Sequence, residues 1–257
     1  MTVDLHYVTD GPANGEVVVL SGSLGSDLRM WEPQVFPLVD AGYRVVRYDH
    51  RGHGGSPVPP GPYTLDDLGA DVIALIDRLG VPRVHFAGLS LGGMLGMWLG
   101  AHHPGRIASL TLCCTSARID PPEMWADRAN LVRAQGTPAV AEAVVERWFT
   151  PEWRAANPDR TRYYREMIAA TPAEGYASCC TAIENTDLRS WLRSITAPTL
   201  VIAGVQDPAT PPEHGQRLVD GIEKARLEVL EPAAHLASVE RADKVSQLII
   251  EQVRDSA

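Results

Sequence analysis

Along the chain, short and almost wholly apolar runs alternate with stretches in which apolar residues recur every three or four positions. Val17-Val18-Val19-Leu20, Val84-His85-Phe86-Ala87, Ile107 to Cys113 and Thr199-Leu200-Val201-Ile202-Ala203 are runs of the first kind. Strands covered on both faces read this way, because neither face has to satisfy water. Arg44 to Tyr48 and Leu227 to Leu230 add two more strands. Between them, Leu65, Leu68, Val72, Leu75, Ile76 and Leu79 share one helical face, opened by a capping box of Thr64 and Asp67. Further helices are expected from about Trp31 to Ala41, Ser90 to His102 and Ala242 to Val253, and a turn near Asp10-Gly11-Pro12 predicts an opening β-hairpin. Strands joined through helices predict an α/β fold with a mostly parallel central sheet and helices on both faces.

The alternation stops near Arg118 and resumes near Ile195. Only helical patterns fill the interval, around Glu123 to Gln135, Pro138 to Trp148, Asp159 to Ala170, Pro172 to Asn185 and Leu188 to Ile195. Residues 118–194 are therefore expected to form a helical cap inserted into a core domain of residues 1–117 and 195–257. The 257-residue length suits one core carrying such an insertion better than two equal domains.

Charge narrows the partners. A formal charge of −9, with no run of Lys or Arg, repels phosphate backbones and anionic lipid, so neither nucleic acid nor membrane is an expected partner. The N-terminal residues carry no basic region followed by an apolar stretch, and the expected location is cytoplasmic. The adjacent pairs Cys113-Cys114 and Cys179-Cys180 fit neither zinc spacing nor a disulfide framework and read as buried free thiols, and no metal site is expected. A homo-oligomer is left open.

The chemistry concentrates at Gly88-Leu89-Ser90-Leu91-Gly92, a Gly-x-Ser-x-Gly pentapeptide entered from a strand and left through a helix. That setting belongs to the nucleophile elbow of the α/β-hydrolase fold, where a tight turn lifts a serine hydroxyl above the sheet. A serine hydroxyl is barely ionised at neutral pH and needs a base, and the base needs an orienting acid. Asp207 follows the strand ending at Ala203 and His235 follows the strand ending at Leu230, in the chain order Ser, acid, His. Asp187 and Asp220 rank below Asp207 because neither follows a strand so directly. Oxyanion donors are expected from the backbone N–H of Leu91 and of Leu24, with Ser23 as the alternative to Leu24. Asp49-His50-Arg51-Gly52-His53 could suggest a metal, but its glycines and intervening Arg favour a structural loop.

Taken together these segments resemble the 3-oxoadipate enol-lactonases of aromatic (protocatechuate and catechol) catabolism. The likeness runs through Ser23-Leu24-Gly25-Ser26-Asp27, Arg47-Tyr48-Asp49-His50-Arg51-Gly52-His53-Gly54, Gly61-Pro62-Tyr63-Thr64, the elbow, Arg147-Trp148-Phe149-Thr150, Glu174-Gly175-Tyr176, Asp207-Pro208-Ala209-Thr210-Pro211-Pro212 and Ala233-Ala234-His235-Leu236. The family commonly has Asn where Gly22 stands here. The resemblance implies a small lactone substrate carrying a carboxylate, attack by Ser90, an acyl-enzyme intermediate and no cofactor. A carboxylate in a protein of net negative charge calls for a local cation. The candidates are Arg133, ranked first for its apolar neighbours, then Arg128 and Arg147, with Trp125 and Trp148 as candidate pocket walls. The rival readings are another carboxylesterase, lactonase or perhydrolase of the same fold, and a non-enzymatic ligand receptor, which sustained turnover would exclude.

Overall fold

The computed structural model describes residues 1–256. Across them, seven strands form one sheet: β1 (Tyr7–Asp10), β2 (Val17–Ser21), β3 (Arg44–Tyr48), β4 (Val84–Leu89), β5 (Ile107–Cys113), β6 (Thr199–Gly204) and β7 (Ala225–Leu230). Their spatial order is β1-β3-β2-β4-β5-β6-β7. All neighbours are parallel except β1, which pairs antiparallel with β3 in the register Tyr7 opposite Tyr48. The expected opening hairpin is thus not formed. Both edges of β2 are taken by parallel neighbours, Val17 beside Arg44 on β3 and Val18 beside His85 on β4, so β1 can only join the sheet at the outer edge.

The wholly buried runs occupy the middle of this sheet: every residue of β2, β4 and β6 is buried. Helices α1 (Glu32–Asp40), α2 (Leu65–Arg78) and α3 (Leu91–His102) connect the first strands, and α9 (Pro212–Gly221), α10 (Ala237–Glu240) and α11 (Ala242–Arg254) follow the last ones. The capping box at α2 is present, with Thr64 Oγ1 accepting from the Asp67 N–H and the Asp67 carboxylate accepting from the Thr64 N–H. Between β5 and β6 run α4 (Glu123–Gln135), α5 (Pro138–Trp148), α6 (Pro151–Ala156), α7 (Pro158–Ala169) and α8 (Ala173–Glu184), with no strand among them. The last expected helix of this interval instead winds as a 3₁₀ turn over Arg189–Ser194. Among the described residues no helix is long and apolar enough to cross a membrane. All four cysteines are buried and free.

One buried ion pair ties the loop after β3 to α2. Arg51, 4 % exposed, donates through Nε and Nη2 to both oxygens of Asp71, at 2.6 and 2.8 Å, and Asp71 Oδ1 also accepts from the Val3 N–H. Removing Asp71 leaves the buried Arg51 with only the longer contact to Asp67, at 3.7 Å, as counter-charge. Asp71→Ala should therefore lower the unfolding free energy by about 3–5 kcal/mol, read as a lower urea midpoint with an unchanged slope.

Candidate active site

The turn from β4 into α3 places Ser90 at φ 58° and ψ −113°, a backbone region that side-chain-bearing residues rarely enter. The two glycines of the pentapeptide make that turn possible. A Cβ on Gly88 would stand 2.1 Å from the Gly92 carbonyl oxygen, and one on Gly92 would stand 2.3 Å from the Ser21 carbonyl oxygen. The strained residue is held by its backbone: the Ser90 N–H donates to the Cys113 carbonyl at 3.0 Å, and its carbonyl accepts from the Met94 N–H at 3.0 Å and from Thr115 Oγ1 at 2.7 Å.

Ser90 and His235 line the same cavity, of about 180 Å³. His235 Nδ1 lies 2.8 Å from Asp207 Oδ2, and the two side chains are 6 % and 0 % exposed. Asp207 also accepts at Oδ1 from the N–H groups of Ala209 and Thr210, and at Oδ2 from Thr210 Oγ1 at 2.7 Å. Burial would raise the carboxyl pKa, but His235 and these donors outweigh it and pull it down to about 2. Asp207 therefore stays ionised, a carboxylate able to accept from His235 Nδ1 and orient the ring. The lower-ranked acids are engaged elsewhere: Asp187 pairs with Arg189 and Arg118, and Asp220 accepts from Gln216.

In the loop after β2 the N–H groups of Ser23 and Leu24 differ in what they meet. The Ser23 N–H is spent on the sulfur of Met30 at 3.2 Å, and the Gly25 N–H on His53 Nε2 at 3.0 Å. The Leu24 N–H and the Leu91 N–H, the latter in the first turn of α3, donate to no protein acceptor among the described residues. The histidines once weighed for a metal serve this loop instead. His50 Nε2 lies 2.9 Å from the Gly22 carbonyl, which also accepts from the Gly92 N–H, tying the loop to the elbow. Burial, with His50 nearby, drops the His53 pKa to about 3, so its ring is neutral and can accept from Gly25. Asp49 accepts from the N–H groups of Leu28 and Gly55.

The helices between β5 and β6 supply the opposite wall. Trp125, Arg128, Arg147 and Trp148 line the cavity. Arg133 does not: it is exposed, with Nε 3.1 Å from Glu174. The ranking that put Arg133 first is corrected accordingly. Five positions separate Arg128 and Arg133, about 140° around the helix, so α4 cannot present both to one cavity. Arg118, Arg133, Arg154 and Arg165 are ion-paired, whereas Arg128 and Arg147 meet no carboxylate within salt-bridge distance among the described residues. Arg128 instead stacks 4.9 Å over the Trp125 ring, and Arg147 has its pKa lowered by burial and by Arg128. The indole N–H of Trp125 is buried without an acceptor. Tyr176 completes the wall, fully buried, its pKa pushed up to about 12 by burial against the opposing pull of Arg128 and Arg147. Residue-by-residue reading missed Tyr176 as a wall, although Glu174-Gly175-Tyr176 was among the family-like segments.

The sheet order, the strained serine turn and the aspartate-bonded histidine are those of a hydrolase, and comparison with known proteins agrees. Residues 16–242 match the family model described as alpha/beta hydrolase fold. The chain belongs to the α/β-hydrolase family, and within it to the kin of the 3-oxoadipate enol-lactonases. It is 44 % identical over 239 residues to 3-oxoadipate enol-lactonase 2 of Acinetobacter baylyi, covering 93 % of this chain and 89 % of that one. The crystal structure of the enol-lactonase from Burkholderia xenovorans LB400 superposes with a TM-score of 0.95 at 43 % identity, over 98 % and 97 % of the two chains. A putative carbamate hydrolase RutD of Variovorax paradoxus is 35 % identical, over 93 % of this chain and 91 % of that one.

The depressed Asp207 pKa makes a signed prediction. A carboxyl whose pKa is lower in the folded state contributes stability above its unfolded value of about 3.9, and that contribution drains away as pH falls toward about 2. The stability advantage of the native chain over Asp207→Asn, measured by urea denaturation, should thus be full at pH 6 and shrink steadily below about pH 4.

Proposed function

We propose that the chain opens 3-oxoadipate enol-lactone to 3-oxoadipate, with Ser90 as nucleophile, His235 as base, Asp207 as orienting acid and the N–H groups of Leu24 and Leu91 as oxyanion donors. The observation that carries this reading is the pair Arg128 and Arg147, unpaired in the same cavity as Ser90 and His235, in a chain of net charge −9. Two neighbouring cations without a counter-ion repel each other and favour an anionic ligand.

The steps follow from these positions. Ser90 Oγ adds to the lactone carbonyl while its proton passes to His235 Nε2, and the tetrahedral oxyanion accepts from Leu24 and Leu91. Collapse breaks the ring C–O bond, and His235 returns the proton to the departing enol oxygen. An enolate leaves more readily than a simple alkoxide, and the released enol becomes a ketone, which prevents reclosure. Water, deprotonated by His235, then cleaves the acyl-enzyme to restore Ser90 and free the second carboxylate. Meanwhile the carboxylate that the lactone carries stays on Arg128 and Arg147, so the two ends of the substrate are fixed by different parts of the fold.

Ultraviolet absorbance of freshly generated enol-lactone reads the reaction directly. Rapid loss is expected with the intact protein, and Ser90→Ala should slow kcat by a factor on the order of 10⁶. If the lactone is ignored while a carbamate or a p-nitrophenyl ester is cleaved in a Ser90-dependent way, the triad stands and the lactone assignment falls. Arg147→Met should raise KM for the anionic lactone while leaving KM for neutral p-nitrophenyl acetate near the native value. Equal change on both substrates would remove Arg147 from carboxylate binding.

A further inference from the structure

His235 is oriented through its ring by Asp207, but its backbone is held by something else. The two peptide N–H groups that flank it both leave the loop. The Leu236 N–H donates 2.8 Å to the Trp148 carbonyl at the end of α5, and the Ala234 N–H donates 2.5 Å to Glu240 Oε2. Glu240 Oε1 accepts from the Thr150 N–H and from Thr150 Oγ1, each at 2.8 Å. One carboxylate therefore joins the histidine loop to a segment 90 positions earlier in the chain. That segment directly follows Arg147 and Trp148, which line the cavity. Glu240 is the last residue of α10 and its own N–H is bonded to the Leu236 carbonyl at 3.1 Å, so its side chain starts from a fixed point.

The chemistry of this junction differs from that of a surface ion pair. No Lys, Arg or His lies within salt-bridge distance of Glu240 among the described residues; its partners are two peptide N–H groups and one hydroxyl. Such charge-assisted bonds are roughly twice as strong as neutral ones and directional. On the other side, the Ala233 carbonyl accepts from the Gln206 N–H at 2.9 Å, next to Asp207. The histidine loop is thus bonded to the acid loop through a carbonyl and to the insertion directly through the Leu236 N–H and, by way of Glu240, through the Ala234 N–H.

We propose that Glu240 is a positioning residue that sets His235 in register with the cavity wall bearing Arg147 and Trp148. It touches no substrate; it acts through the Ala234 and Thr150 peptides, so that the base and the end of the cavity that holds the substrate's carboxylate move as one body. The proposal rests on the triad reading given above, and shifting a reacting group by about 1 Å costs on the order of 10²-fold in rate.

The experiment compares the native chain with Glu240→Ala, Glu240→Gln and Thr150→Val on neutral p-nitrophenyl acetate and on the enol-lactone, and follows the low-field proton resonance of His235 Nδ1, assigned by its loss in Asp207→Asn. In Glu240→Ala, kcat should fall about ten- to hundredfold on both substrates alike, with KM little changed. The His235 resonance should broaden or move upfield. Glu240→Gln should lie between, since its amide oxygen can serve one N–H while its NH₂ opposes the other. A native kcat with an unmoved resonance would overturn the proposal, as would a defect confined to KM for the anionic lactone. Should Glu240→Ala not fold, the same criteria apply to Glu240→Gln and Thr150→Val. If no ester or lactone is turned over through Ser90, the functional reading falls, and the resonance alone still decides whether Glu240 places His235.

Discussion

The close approach of three backbones around Ser90 is the constraint from which the rest of the site follows. The end of β4, the start of α3 and the end of β2 meet so tightly that neither Gly88 nor Gly92 has space for a single additional carbon. The serine is forced into left-handed backbone geometry, and neighbouring peptides rather than its side chain hold it there. Strain of this kind, of order 1–3 kcal/mol, persists only where the surroundings over-determine it. Here they do so twice, through the Gly92 N–H on the Gly22 carbonyl and through the Ser90 N–H on the Cys113 carbonyl. The first bond fixes the loop carrying Leu24 relative to the elbow carrying Leu91. The two N–H groups proposed as oxyanion donors thus both belong to main chain held in fixed relation.

Around that rigid centre the two parts of the cavity differ in electrostatic character. On the sheet side the ionisable groups are quenched or matched: His53 is held neutral by burial, and Asp207 is met by His235 and a hydroxyl. The helical side carries Arg128 and Arg147 without counter-ions and Trp125 with an unused N–H. Orientation of an asymmetric substrate can thus come from this difference without any side chain having to move.

What was legible in the sequence was what depends on near neighbours. The buried strands could be read because both faces of each are covered, and the elbow because strand, glycines and helix are contiguous. That Asp207 and His235 would meet was legible from their places after β6 and β7. The hairpin expectation failed because a turn signal at Asp10-Gly11 says nothing about whether the next strand has a free edge, and β2 has none. Arg133 was preferred over Arg128 on apolar neighbours, when helical phase relative to a distant cavity decides the matter. The Ser23 N–H is taken by the sulfur of Met30, and Glu240 meets a partner far along the chain. Neither leaves a local trace.

The order of elements has a consequence during synthesis. The ribosome completes the elbow with the first half of the sheet, yet the acid and the base of the proposed mechanism reside in the last two strand-end loops, beyond the whole helical insertion. A nascent chain thus carries a poised serine without the histidine that would activate it. Glu240, five residues past His235, comes later still. On that mechanism competence would arrive almost at once, near the end of translation, and any product truncated before His235 would lack the base whatever else of it had folded.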